Sequence, residues 1–188
     1  IVLAGDIAGR NSLIEDFFYY RIPRDKQTIY IAGNHEYEHH DFQTKNTYLK
    51  EICKEFGIHY LFNERVDING IRFLGTPLFS NLSGFYNRFF PNSEKAKTPQ
   101  EDLIEWVQTH ISDFKLIQHK NSVDGEGKWT VYDMIAQFNQ AYNFLKEELE
   151  KGFNGTTVTV THFAPLFDFS KLNVPENDQP KNSYWANH

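Results

Sequence analysis

Short apolar runs that break into a glycine or a polar residue alternate along this chain with longer stretches of helical period. Ile1-Val2-Leu3-Ala4 runs into Gly5-Asp6, Thr28-Ile29-Tyr30-Ile31-Ala32 into Gly33-Asn34-His35-Glu36, and Val158-Thr159-Val160-Thr161 into His162. Each reads as a strand that ends at a potential metal ligand. Between the first two, the segment 12–22 reads as a helix. Leu13, Ile14, Phe17 and Phe18 form its apolar face, Ser12 and Glu15 stand at capping-box spacing, and Pro23 ends it. A strand, a helix and a strand in this order favour parallel pairing, which brings Asp6 and Asn34 out at one edge.

Asp41 is positioned to cap a helix over 42–56, with Tyr48, Leu49, Ile52, Cys53 and Phe56 on one stripe and Gly57 at its C-terminal cap. Ile58 to Phe62 is a short strand. Val66-Asp67-Ile68, Asn69-Gly70 and Ile71-Arg72-Phe73-Leu74 then predict a two-residue hairpin, and with it a second, partly antiparallel sheet. From Gly75 to about Pro99 the periodicity dissolves into Gly, Pro, Ser and Asn with many aromatics, among them Phe79, Phe85, Tyr86, Phe89 and Phe90. A loop of this length is expected to be functional or mobile; with Arg88 it forms either a substrate wall or packing. Thr98-Pro99-Gln100-Glu101 starts a helix to about His110. Thr130 and Asp133 open another over about 131–151, with Val131, Ile135, Phe138, Tyr142, Leu145 and Leu149 as its stripe and Gly152 at its end. The tail 166–188 reads as a loop. The expected class is α/β, bordering on α+β.

Composition narrows the functions available. A chain of 188 residues, 40% hydrophobic with 17 Phe and 10 Tyr, fits one domain with a packed core. The net charge of −6 arises from 25 acidic and 19 basic residues without a basic block, which argues against extended nucleic acid as a partner. A single cysteine, Cys53, excludes an internal disulfide and fits a reducing compartment, so a cytoplasmic location is expected. No apolar run approaches the roughly 20 residues that span a bilayer, and no membrane partner is expected. Nothing fixes an oligomeric state.

The candidate chemistry sits at the three strand ends, where ligands collect in open α/β sheets. Taken singly, Asp6 reads as a turn residue and His162 as a hydrogen-bonded structural histidine. Taken in order with Asn34-His35, they present a carboxylate, an amide oxygen and an imidazole. This mixed oxygen and nitrogen set suits Mn, Fe or Zn and hydrolytic chemistry.

Gly5-Asp6-x-x-Gly9-Arg10, then Gly33-Asn34-His35-Glu36, then Thr161-His162-Phe163-Ala164-Pro165 resembles the calcineurin-like metallophosphoesterases in order and strand context. The resemblance implies an αββα sandwich of two sheets flanked by helices, and two divalent metal ions. In that family two metals about 3.5–4 Å apart activate a bridging water or hydroxide for in-line attack on phosphorus. By resemblance Asp6 bridges both metals, and Asn34 and His162 bind the second. His35 faces the substrate to stabilise phosphoryl charge or protonate the leaving group, Glu36 orients His35, and Arg10 meets the substrate phosphate. The implied partner is a small phosphorylated substrate, a phosphomonoester or a phosphodiester.

The family's Asp-x-His strand before the Gly-Asp loop and its later Gly-His-x-His are not among these 188 residues, so the resemblance implies a domain truncated at both ends. Tyr184-Trp185-Ala186 is similar to the segment before that last motif, and Gly9 replaces a second acid common in the first loop. The same fold also serves as a non-catalytic scaffold. Retention of Asn34, His35 and Glu36 together favours the enzyme, and no Gly-x-Ser-x-Gly elbow supports a serine hydrolase.

Overall fold

Two three-stranded sheets lie face to face across a shared apolar layer. The computed structural model describes residues 1–82, 99–122, 124–125 and 127–165. In the first sheet β1 (Val2–Ala4), β2 (Ile29–Ile31) and β3 (His59–Tyr60) run parallel in that order, with Leu3 opposite Tyr30 and Tyr30 opposite Tyr60. Helix α1 (Asn11–Arg21) connects β1 to β2, and α2 (Phe42–Glu55) connects β2 to β3. In the second sheet β4 (Glu64–Ile68) and β5 (Ile71–Thr76) form the expected antiparallel hairpin. Asn69 and Gly70 both take positive φ at its turn, as a tight two-residue connection requires. Among the described residues three helices follow, α3 (Pro99–His110), the short α4 (Asp113–Leu116) and α5 (Val131–Glu150), before β6 (Thr156–Thr161) pairs parallel with β5.

The alternation of β2 decides the layers, because its side chains are buried on both faces. Ile29 and Ile31 point at the second sheet and pack with Leu61, Val160, Phe73 and Val158. Tyr30 points the other way, into the cluster formed by Ile14 and Phe18 of α1 and Leu49 and Cys53 of α2. Cys53 is the core thiol its stripe predicts, and burial pushes its pKa up. On the outer side of the second sheet, buried Arg72 donates to the Glu148 and Gly152 carbonyls at the C-terminal end of α5 and to Thr157 Oγ1. The order helix, sheet, sheet, helix is the expected sandwich. Among the described residues no helix is long and apolar enough to cross a membrane.

Two caps form as expected. Asp41 accepts from the Thr44 N–H at 3.0 Å, and Thr130 and Asp133 close a reciprocal capping box on α5. The Ser12/Glu15 box does not form. Helix α1 starts one residue earlier, Arg10 occupies the cap position without a side-chain bond, and Glu15 accepts from the Tyr48 hydroxyl at 2.6 Å instead. The stripe of α5 is also rotated: Met134 and Ala141 are buried beside Val131 and Phe138, while Tyr142 and Leu149 are 54% and 52% exposed. Its first turns meet the cluster of Phe42, Trp129 and Val107, which turns Met134 fully inward and leaves Ile135 partly buried at its edge. The aromatic segment beyond Leu82, with Phe85, Tyr86, Arg88, Phe89 and Phe90, and the tail 166–188, with Tyr184-Trp185-Ala186 and His188, lie outside the described residues.

Candidate metal centre

The loops after β1, β2 and β6 converge closely enough that two of them need glycine. A Cβ on Gly33 would lie 2.1 Å from Asp6 Oδ1 and 2.6 Å from His162 Cε1, and one on Gly5 would lie 2.5 Å from the Gly33 nitrogen. Without side chains there, the Asp6 carboxylate and the His162 ring rest against bare backbone. Asp6 itself has φ of 58°, a left-handed conformation that aspartate tolerates better than most residues.

Glu36 fixes that conformation. Its fully buried carboxylate accepts from the backbone N–H groups of Asp6 (2.8 Å), Ile7 and Gly33 (2.6 Å), tying the first loop to the second. This corrects the expectation that Glu36 orients His35. Among the described residues no hydrogen bond joins the two, because the 3₁₀ turn His35–Tyr37 sends the carboxylate inward and the imidazole outward. His35 is 48% exposed, and its Nδ1 lies 3.0 Å from Glu38 Oε1. The acid beside the imidazole is therefore Glu38, three residues along the chain.

Asp6, Asn34 and His162 come together. His162 Nε2 is 3.4 Å from Asp6 Oδ2 and 3.2 Å from Asn34 Oδ1, and His35 Nε2 lies 3.9 Å from the same Asp6 oxygen. His162 Nδ1 is 2.7 Å from the Ala4 carbonyl, an acceptor that fixes the proton on Nδ1 and turns the Nε2 lone pair toward the cluster. Asp6 Oδ1 accepts from the His35 N–H at 3.1 Å, which leaves Oδ2 for the cluster. Asn34 is fully buried, and its Nδ2 donates to Asp113 Oδ1 at 3.2 Å, so its amide oxygen faces His162. Arg10 is exposed at the start of α1, and among the described residues its guanidinium makes no hydrogen bond or ion pair.

The electrostatics follow from this packing. Burial alone would raise the Asp6 carboxyl, but the hydrogen bond and charge of His162 and the His35 N–H outweigh it and hold the group below the usual carboxylate value. Burial pulls the His162 imidazolium down, yet the bonds to Asp6 and to the Ala4 carbonyl outweigh it and leave the pKa raised. The two oxygens that face Nε2, Asp6 Oδ2 and Asn34 Oδ1, are the ones a divalent cation would meet in place of its proton. Among the described residues no group of three His, Cys, Asp or Glu side chains could hold a metal ion, so the Asn34 amide is needed as the third donor.

Three neighbours of the cluster escaped the sequence reading. Glu38 carries a weak signal, three residues from His35 in a tight turn. Asp113 carries none, since 79 residues separate it from Asn34. Lys45, buried in α2, donates to the Gly9 carbonyl at 2.7 Å and to Asn11 Oδ1, and His40 Nε2 lies 3.2 Å from that same carbonyl, so the loop bearing Asp6 and Arg10 is held from below. A cavity of about 460 Å³ beside α3 and the start of α5, lined by Glu105, Gln108 and Tyr132, shares no residue with the cluster; the chemistry of the donors, not concavity, marks the site.

Together these features define a two-sheet α/β protein with a mixed oxygen and nitrogen donor cluster at its strand ends. Among solved structures the chain is similar to the phosphopantetheinyl hydrolase PptH from Mycobacterium tuberculosis, with a TM-score of 0.65 and 20% sequence identity. The match covers 99% of this chain and 64% of that one, so this chain spans less than two thirds of the hydrolase's length. At that identity the likeness shows a common fold. No family model and no curated protein sequence matches the chain.

Proposed function

We propose that this chain carries the catalytic core of a metal-dependent phosphoester hydrolase. The observation that carries the reading is the convergence of Asp6 Oδ2 and Asn34 Oδ1 on His162 Nε2, with the exposed His35 imidazole beside them. The donor set fits Mn, Fe or Zn: a carboxylate, an amide oxygen and an imidazole whose other nitrogen is engaged by a backbone carbonyl. The fold shared with a hydrolase of a phosphopantetheinyl substrate supports the same class. When bound, divalent metal supplies Lewis acidity toward water and the phosphoryl oxygens.

The remaining work belongs to the chain's own residues. Asp6, Asn34 and His162 hold the metal. His35, kept in place through Nδ1 by Glu38, presents Nε2 to the substrate and donates a proton to the departing oxygen. Arg10 meets the phosphoryl oxygens with its planar fork. Glu36 acts indirectly, by holding the backbone that carries Asp6 and Gly33.

The test is manganese-supported hydrolysis of an aryl phosphate monoester and of the matching diester. His35→Ala is expected to bind manganese like the wild type and to lose roughly 10²–10⁴-fold in turnover, the range of a lost general acid. Equal turnover in the two proteins would remove His35 from the mechanism, and absence of metal-supported hydrolysis would overturn the reading.

A further inference from the structure

An asparagine offers a cation site two chemically opposite atoms, an oxygen that binds and an amino group that repels. Which of them Asn34 presents is set by its other end. We propose that Asp113 is a positioning residue that selects the Asn34 amide oxygen as a metal ligand, an inference that rests on the metal-dependent reading above. Both residues are buried, Asn34 completely and Asp113 to 1% exposure, and Asn34 Nδ2 donates to Asp113 Oδ1 at 3.2 Å. In this contact Asp113 Oδ1 is the acceptor, so the Asn34 amino group faces Asp113 and the amide oxygen faces His162. Turning the amide over would set oxygen against the Asp113 carboxylate and the amino group against the metal, two repulsions that count for more in a buried site than in water.

The position of Asp113 is itself fixed. The Ser112 carbonyl accepts from the Lys115 and Leu116 N–H groups, which closes α4 around it. The chain on either side of Leu116–Gln118 is stitched to the segment after the Asn34 turn: His39 donates to Leu116 O (2.8 Å), Gln118 to His40 O (2.9 Å) and Phe42 to Gln118 O (2.8 Å). Asp113 thereby acts on Asn34 as the Ala4 carbonyl acts on His162, each engaging the ligand's far end and aiming its near end at the cluster.

Manganese affinity of the 188-residue chain, read by water-proton relaxation, tests this without reference to activity. Asp113→Ala is expected to weaken binding roughly 10–100-fold, the usual cost of removing a ligand's outer partner. Asn34→Asp alone faces two buried carboxylates toward each other and is expected to bind poorly. The exchange Asn34→Asp with Asp113→Asn restores a donor behind an acceptor, and is expected to recover binding. Wild-type affinity in a folded Asp113→Ala protein overturns the inference. If Asp113→Ala does not fold, an exchange variant that binds no better than Asn34→Asp overturns it equally. Asp6→Ala separates the two levels. If Asp6→Ala binds manganese as the wild type does, the metal reading fails and this inference with it; if only Asp113→Ala does, the metal reading stands.

Discussion

Lys45 is the buried cation on which the loop bearing Asp6 rests. Burial pushes its pKa down from the ordinary 10.5 to about 8, and the nearby Glu36 charge restores only part. The folded chain therefore releases this proton near pH 8 and the unfolded chain near 10.5. Between those values the unfolded state holds more protons, so the Lys45 contribution to stability rises with pH across that window. Urea midpoints of wild type and Lys45→Met, compared at pH 7.5 and 9.5, should move in favour of wild type at the higher pH; a constant difference would mean that Lys45 titrates alike in both states. Asp6, Asn34 and His162 were legible in the sequence because each follows an apolar run and the three stand together in an order that no one of them shows alone. Lys45 and Asp113 were not, since their meaning lies in contacts across space. Glu36 shows the limit in a single residue: its type and place were visible, but the inward turn that commits its oxygens to three backbone N–H groups was not.

At the level of elements, the signals that hold are those with a local mechanism. The Asn69-Gly70 turn, the Asp41 cap and the Thr130/Asp133 box each depend on a few adjacent residues, and all form. The Ser12/Glu15 box is equally local in pattern but loses to a tertiary contact, the bond between Glu15 and Tyr48. The rotated stripe of α5 and the unforeseen α4 likewise answer to neighbours distant in sequence. Arg72 shows how such a neighbour stabilises an element. Its guanidinium supplies positive charge and donors to the C-terminal carbonyls of α5 while lying 5.0 Å above the Phe153 ring. Arg72→Ala removes the donor from those part-buried carbonyls while emptying a buried site, and is expected to destabilise the protein by about 1–3 kcal/mol in urea unfolding. Arg72→Lys should recover only part, for lack of the second arm that reaches Thr157.

Across the whole molecule, the site depends on how the two sheets meet. Asp6 and Asn34 leave the first sheet and His162 leaves the second, so the donors are in register only when the sheets are docked. A close point of that contact is Gly75, where a Cβ would lie 2.3 Å from Leu61 Cβ. Gly75→Ala is expected to cost about 1–3 kcal/mol through overpacking, and Leu61→Gly in the same chain, which removes the opposing Cβ, should return part of it, a non-additivity visible in a double-mutant cycle. Manganese affinity should fall with Gly75→Ala and recover with the second change. Strictly additive losses would mean that the two residues do not press on each other.

The spread of the donors along the chain also orders events during synthesis. Asn34 and His162 are 128 residues apart, and a ribosome adding about 5–20 residues per second leaves on the order of ten seconds between them. Throughout that interval the nascent chain can offer Asp6 and Asn34 but no imidazole from β6. On the proposed reading, metal loading of Asp6, Asn34 and His162 together therefore waits until β6 has been made, and the two early donors alone form no finished site.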